Sequence, residues 1–283
     1  MRVGIAGVGL IGGSLAIQVR KLFGNVIISG YDSSKLHLKQ SLEIGLIDEI
    51  ISEKDFINLD ILLLAYPVKH ITNQLNSVLD MVGVNTLVID FGSTKSKICR
   101  NVSSHSKRSQ FLATHPIAGT EFSGPNSANK DLFKGKVQII CESHKTKSDL
   151  LNWALNFFSS IGMIIKKMNP EEHDKHIAYV SHLSHISSFI LGQTVLEKEK
   201  DESAIFAMAG SGFASTVRLA KSSPNTWSSI FEENRENILE SLKHYLSNLE
   251  DFKDFLENEN YKKIYTTIEK TNAIKRVLKG IKK

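Results

Sequence analysis

The sequence predicts an α/β fold, a Rossmann-type doubly wound sheet followed by an all-α C-terminal domain. Three observations carry this: a strand-glycine turn-helix-strand unit over Met1 to Ser33, alternating apolar runs and amphipathic stretches to about residue 168, and no strand signal after Asn169-Pro170. The expected division is therefore 1–168 and 169–283. A chain of 283 residues suits two domains.

In the first unit, Arg2 to Ala6 is a short apolar run, and Gly7-Val8-Gly9-Leu10-Ile11-Gly12 follows it directly. Leu15, Ile17, Val19 and Leu22 then carry an apolar face through a helix, and Val26 to Tyr31 forms the next strand with Asp32 at its end. Gly7 allows a tight turn, Gly9 lets the backbone approach a pyrophosphate, and Gly12 lets helix and strand pack closely. Phosphates would then sit on the free N–H groups at Leu10 and Ile11, where the helix dipole favours negative charge. Asp32 would accept from the ribose hydroxyls and repel a 2′-phosphate. Ser33, Ser34 and Lys35 bring no arginine to reverse that preference, so NAD is expected over NADP.

Further along, Lys35 to Ile44 reads as a helix closed by Gly45, Ile47 to Ile51 as a short strand, and Asp60 to Ala65 as a buried strand of a parallel sheet. Tyr66-Pro67-Val68 opens a helix to about Leu79. Thr86 to Phe91 is a strand, and after Gly92-Ser93-Thr94-Lys95 a helix runs from about Lys95 to Ser103. Phe111 to Thr114, Lys136 to Cys141 and Met163 to Lys167 complete the strands, with a helix over Lys147 to Ser160. Pro170 with Glu171 and Glu172 marks a helix start. Ile177, Val180, Ile186, Ile190 and Leu191 keep helical spacing, and further helices run from about Pro224 to Leu256 and Tyr261 to Ile281. With the last helix reaching Ile281, no additional regulatory domain is expected.

Composition narrows the function. Hydrophobic residues at 41% and charged residues at 23% describe an ordinary globular protein. No apolar run approaches the roughly 20 residues that span a bilayer, and no leader precedes the first strand, so neither a membrane nor export is expected. Cys99 and Cys141 lack CxxC spacing, which predicts free thiols and a cytoplasmic protein. The net charge of +5 owes much to Lys275, Arg276, Lys279, Lys282 and Lys283, cations that complement a helix C-terminus. No aromatic residues interleave with them, so nucleic acid is not an expected partner; a small-molecule substrate is.

Ligands of open parallel sheets bind beyond the carboxyl ends of the strands, where Tyr66, Pro67, Ser93 and His115 fall. His115 precedes Pro116, which favours extended backbone and projects the imidazole past the sheet edge. It reads either as a base near neutral pH or as a loop histidine bonded to backbone. Ser93 reads as a helix N-cap or as a hydroxyl beside the cofactor, and Lys95 as a surface residue of the first turn. In Ser181-His182-Leu183-Ser184-His185, Ser181 and His185 lie on one helical stripe, with His182 about 60° from His185. His173 and His176 are near, but without HExxH spacing or a third ligand no metal is expected. Arg218 follows the glycine-rich Gly210-Ser211-Gly212 stretch and could bind a carboxylate bidentately or stand exposed on a helix.

Five stretches occur in the order seen in prephenate dehydrogenases: Gly7 to Ser14, Asp90 to Lys95, His115-Pro116-Ile117-Ala118-Gly119-Thr120-Glu121, Ser181 to His185 and Arg218-Leu219-Ala220. The chain resembles that family, the TyrA type, from end to end. The resemblance implies an NAD-binding domain, a helical domain that forms a homodimer, and conversion of prephenate to 4-hydroxyphenylpyruvate in tyrosine biosynthesis. It further implies His115 and Ser93 as catalytic residues, and Arg218, His185, Ser181, His182, Ser211 and Gly212 on the substrate. Cofactor contacts would come from Gly7, Gly9, Leu10, Ile11, Gly12, Asp32, Tyr66 and Pro67. Arogenate oxidation, and a non-catalytic NAD-sensing dimer, are the alternatives. This chain departs from the family pattern at Ser184, where proline is usual and a straighter helix around His185 is expected, and at Ala214 and Ser215, where a basic residue and an aspartate are usual.

Overall fold

The computed structural model describes residues 1–200 and 205–280. Lys282 and Lys283 of the basic tail, and Ile281 of the last predicted helix, lie outside the described residues. The chain divides into two compact units, Met1–Arg235 and Glu236–Lys283.

An eight-stranded sheet lies at the centre of the first unit. Its strands are β1 (Arg2–Ala6), β2 (Ile27–Tyr31), β3 (Glu49–Ile50), β4 (Ile61–Leu64), β5 (Leu87–Asp90), β6 (Phe111–Pro116), β7 (Val137–Cys141) and β8 (Ile164–Met168). They are ordered β3-β2-β1-β4-β5-β6-β7-β8. Neighbours from β3 to β6 are parallel, whereas β7 runs antiparallel to β6 and carries β8 with it. The reversal has a local cause. Between β6 and β7 only a single short turn, Pro125–Ser127, is helical, so no crossover helix returns the chain to the far end of the sheet.

Two apolar layers follow from the alternation of side chains along each strand. Ile5, Ile28, Leu63, Ile89 and Leu112 face α1 (Leu10–Leu22) and α5 (Ser148–Ser160), meeting Leu15, Val19, Phe157 and Phe158. Leu62, Leu64, Val88 and Phe111 face the other way, toward α3 (Val68–Met81) and α4 (Ser96–Asn101), meeting Ile71, Leu75 and Ile98. Each such side chain contributes about 1.5–3 kcal/mol on burial. The remaining sheet-side helix, α2 (Lys35–Glu43), starts on the Ser34 hydroxyl, which accepts from His37 N. Cys99 and Cys141 are free and buried, and burial pushes both thiols up.

After the sheet come α6 (Pro170–Ile177), a wide π-helical turn over Ala178–His182, α7 (Leu183–Glu199), α8 (Ser211–Thr216) and α9 (Pro224–Glu233). Asn169 caps α6 as its sequence signature requires, its side chain accepting from Glu171 N at 2.8 Å. α9 is fastened to α3: Ser229 Oγ accepts from Lys69 N at 3.0 Å, and Thr72 Oγ1 donates to Glu233 Oε2 at 2.8 Å. Ile230 joins the same apolar layer as Ile71.

The helix expected over Pro224 to Leu256 is two, α9 and α10 (Arg235–Glu257). Asn234 ends the first, its side chain donating to the Asp174 carbonyl at 2.7 Å. Similarly, α11 (Tyr261–Thr271) and α12 (Ile274–Gly280) replace one long helix, because the chain tightens to bonds three residues apart at Ala273 and Lys275. Among the described residues no helix is long and apolar enough to cross a membrane.

Candidate active site

Strand order reverses between β1 and β4, so the crevice opens beyond their carboxyl ends. The glycine turn lies there. Gly7 has φ +94°, and any Cβ on it would strike the Ala65 carbonyl and Tyr66 N within 2.7 Å. A Cβ on Gly12 would run into the Gly7 carbonyl oxygen. At Gly9, by contrast, nothing lies within 4 Å of a Cβ position, and no side chain caps α1. The first amides of α1, at Leu10 and Ile11, thus carry no side-chain cap, and Gly9 leaves a close approach open, as a pyrophosphate cradle requires.

Asp32 stands at the end of β2 with its side chain 13% exposed. It organises the turn itself: Oδ2 accepts from Val8 N at 3.0 Å and Oδ1 from Ser34 N at 2.8 Å. A carboxylate offers about four acceptor sites, so capacity for ribose hydroxyls is left. Tyr66 and Pro67 follow β4 across from Gly7, Tyr66 half-buried with its phenol pushed up by burial, and Pro67 at the start of α3. The turn therefore fits a dinucleotide in shape and in donor chemistry.

Below the crevice, Asp90 ends β5 entirely buried, its ion-pair partner being the equally buried Lys95. Asp90 Oδ1 accepts from Thr114 N at 2.9 Å and Oδ2 from Gly92 N at 3.1 Å. Burial pushes the Asp90 carboxyl up, against the Lys95 ammonium and these amides. The reading of Lys95 as a surface residue is thus corrected. Its aliphatic stem passes through the interior to reach the buried Asp90 carboxylate. Ser93 does not cap a helix either: α4 begins at Ser96, and Asp174 caps it from α6, accepting from Lys95 N at 2.7 Å and Ser96 N at 2.8 Å. Ser93 sits half-buried on the turn after β5, one strand over from His115.

His115, on β6, is half-buried, and its Nδ1 lies 2.8 Å from His173 Nε2 with the rings edge to face. His173 Nδ1 in turn lies 2.8 Å from Asp174 Oδ1. Burial, with the nearby His173, Lys95 and His182, holds the His115 pKa well below the usual imidazole value, so the ring is neutral at pH 7.

From the helical segment, Arg218 Nη1 meets Glu121 Oε2 at 3.0 Å, with the two side chains 51% and 19% exposed. Glu121 lies on the loop that leaves His115. His185 is held by a bond from its Nδ1 to the Ser181 carbonyl at 3.0 Å and stacks on Trp227 with 3.4 Å between ring centres. Burial lowers its pKa, and the Arg218 charge adds to this. His182 is turned inside: 1% exposed, 3.2 Å from the Asn234 side chain and edge-on to Trp227, with its pKa lowered to about 4 by burial. Ser211 and Gly212 are exposed on α8. His185 lies in the first turn of the regular helix α7, just after the π-helical turn over Ala178–His182; Ser184 is exposed and donates to the Val180 carbonyl at 3.3 Å.

Sequence reasoning passed over Asp174, Trp227 and the burial of Lys95. The His-Asp pair at 173–174 in the second turn of a capped helix was the available signal. Among the described residues no group of three or more His, Cys, Asp or Glu is placed to hold a metal ion.

Known proteins share the sequence and the fold of this chain. Residues 15–167 match the family model "Prephenate dehydrogenase, nucleotide-binding domain", and residues 169–270 match "Prephenate dehydrogenase, dimerization domain". The fold superposes on a prephenate dehydrogenase from Aquifex aeolicus, solved with hydroxyphenyl propionate and NAD+, with TM-score 0.88 and 30% identity over 98% of this chain and 97% of that one. Arogenate dehydrogenase from Synechocystis gives TM-score 0.77 and 25% identity over 98% and 100%. Prephenate dehydrogenase of Bacillus subtilis is 28% identical over 267 residues, 92% of this chain and 71% of that protein. With both family models matched in sequence order, the first over more than half of the chain, the chain belongs to the prephenate dehydrogenase family.

Proposed function

We propose that this protein catalyses the NAD-dependent oxidative decarboxylation of prephenate to 4-hydroxyphenylpyruvate, in tyrosine biosynthesis. The observation that supports the reading is a neutral imidazole, His115, near the carboxyl end of β6 in the same sheet as the glycine turn, with a guanidinium, Arg218, paired to the loop that leaves it. Bound at the glycine turn, NAD supplies the hydride acceptor. His115 accepts the proton of the ring 4-hydroxyl, and Ser93 orients that hydroxyl. The ring carboxylate leaves as CO2 and the ring becomes aromatic. Arg218 holds a substrate carboxylate in place of Glu121, and His185, stacked on Trp227, lines the side-chain end with Ser181. Ser211 and Gly212, exposed on α8, are taken as further substrate contacts from the resemblance, whereas His182 is turned inside and reaches the substrate only through its neighbours.

A second substrate, arogenate, is favoured by the likeness to the Synechocystis enzyme. It differs only in carrying an amine where prephenate carries a keto group. The reading also takes 1–168 as the cofactor domain and 169–283 as the substrate and dimer domain. A homodimer is supported by the match to a dimerisation domain and by exposed Leu246, Leu249, Leu256, Tyr265 and Ile268.

NADH formation on adding prephenate or arogenate, side by side, tests the activity. Substituting His115→Asn is expected to lower kcat by about 10²- to 10⁴-fold, the range of a general base. Unchanged turnover would remove His115 from the mechanism, and no NADH from either substrate would reject the function.

A further inference from the structure

His115 is backed by two residues that never reach the crevice. Asp174 is 2% exposed and lies between α6, which carries it, and the start of α4. Both its oxygens accept backbone amides, Lys95 N and Ser96 N, while its own carbonyl accepts from Asn234. Burial alone would raise its carboxyl, but the bond with His173 and the two amides hold it below the usual carboxylate range. An ionised carboxylate can only accept. The 2.8 Å contact from His173 Nδ1 therefore places that ring's proton on Nδ1. In the neutral form an imidazole has one N–H, so with that proton on Nδ1 the His173 Nε2 is bare and accepts in its turn. Its 2.8 Å partner is His115 Nδ1, which must donate.

We propose that His173 and Asp174 are positioning residues that fix His115 in the tautomer with a proton on Nδ1 and a bare Nε2 facing the crevice. The chain of donors runs one way, from His115 through His173 to Asp174, and its end is pinned by two amides that cannot rotate. This matters because only the bare nitrogen can take a hydroxyl proton. Were His173 to present a proton on Nε2 instead, His115 Nδ1 would have to accept and its proton would move to Nε2, where it blocks the base. The substrate's identity rests on the function proposed above, whereas the tautomer is a property of the protein alone.

The experiment separates the two. In 15N-histidine-labelled protein without substrate, assigned with His115→Asn and His173→Gln, the imidazole nitrogens of His115 are expected to show a protonated Nδ1 and an unprotonated Nε2. In Asp174→Asn an amide NH2 must face one of the three donors, so the pattern at both rings should redistribute. With prephenate, kcat should fall roughly 10- to 1000-fold while KM for NAD holds, given that an orienting carboxylate in a hydrolytic triad is worth up to about 10⁴. His173→Gln, which keeps an acceptor near the Nε2 position and leaves Asp174 on its amides, should retain more kcat than His173→Leu. That comparison decides the matter if Asp174→Asn fails to fold. A protonated Nε2 on His115 in the unaltered protein, or equal kcat in His173→Gln and His173→Leu, overturns the proposal. The expected tautomer with no oxidation of prephenate or arogenate would overturn the function and leave the positioning roles standing.

Discussion

Arg218 Nη1 lies 3.0 Å from Glu121 Oε2, which ties the helical segment to the loop leaving His115. A guanidinium already seated on a carboxylate is oriented to receive another. Arg218→Ala is expected mainly to raise KM for prephenate with little change in kcat, because uniform binding is lost. Glu121→Gln, which removes the competing carboxylate, should lower that KM by at most about fivefold, the scale of an exposed pair. Steady-state kinetics check both, and an unaltered KM in Arg218→Ala rejects the carboxylate role.

The buried Lys95–Asp90 pair predicts a large stability effect far beyond that of surface ion pairs. Lys95→Met leaves the Asp90 carboxylate inside without its partner, and removing one member of a buried pair costs about 3–5 kcal/mol. Denaturant unfolding should show this loss, and adding Asp90→Asn should restore part of it.

His182 makes stability depend on pH. Its folded pKa is lowered to about 4 by burial, with His173 and His185 adding to this and Asp174 opposing it, against 6.5 for the free residue. The unfolded chain thus binds the extra proton first, so stability is full above pH 6.5 and is lost as pH falls toward 4, by up to ~3 kcal/mol from this group. His182→Asn, whose side-chain oxygen can still accept from Asn234, should flatten the slope over that window in unfolding curves. An unchanged slope would show that another group carries it.

Asp32 should set the choice of dinucleotide. Asp32→Asn removes the charge that would oppose a 2′-phosphate, and the ratio of kcat/KM for NAD over NADP is expected to fall about tenfold or more. A constant ratio would place cofactor choice elsewhere.

Much of this was legible in the sequence because it is written locally. The glycine turn needs Gly7 at positive φ and Gly12 against a carbonyl, and neither tolerates a side chain, so the pattern survives as spacing. The strands β4 and β5 are buried on both faces and read as unbroken apolar runs. What stayed hidden was set by distant partners. Lys95 is interior with its ammonium on the buried Asp90, and α4 needs no cap of its own because Asp174 caps it from α6. Likewise the break at Asn234 follows from its bond to Asp174, which no propensity records. The reversal of β7 had a local trace, the missing crossover helix, that strand periodicity alone does not show.

The fastening of α9 to α3 gives distant positions a say over the His185 ring. Trp227 sits near the start of α9 and forms the plate on which the His185 ring rests, yet α9 itself hangs from α3 through Ser229 and Glu233. α3 begins at the turn after β4, directly opposite Gly7. One run of helix therefore joins the glycine turn to the aromatic plate, and Thr72, bonded to Glu233, acts as its rivet.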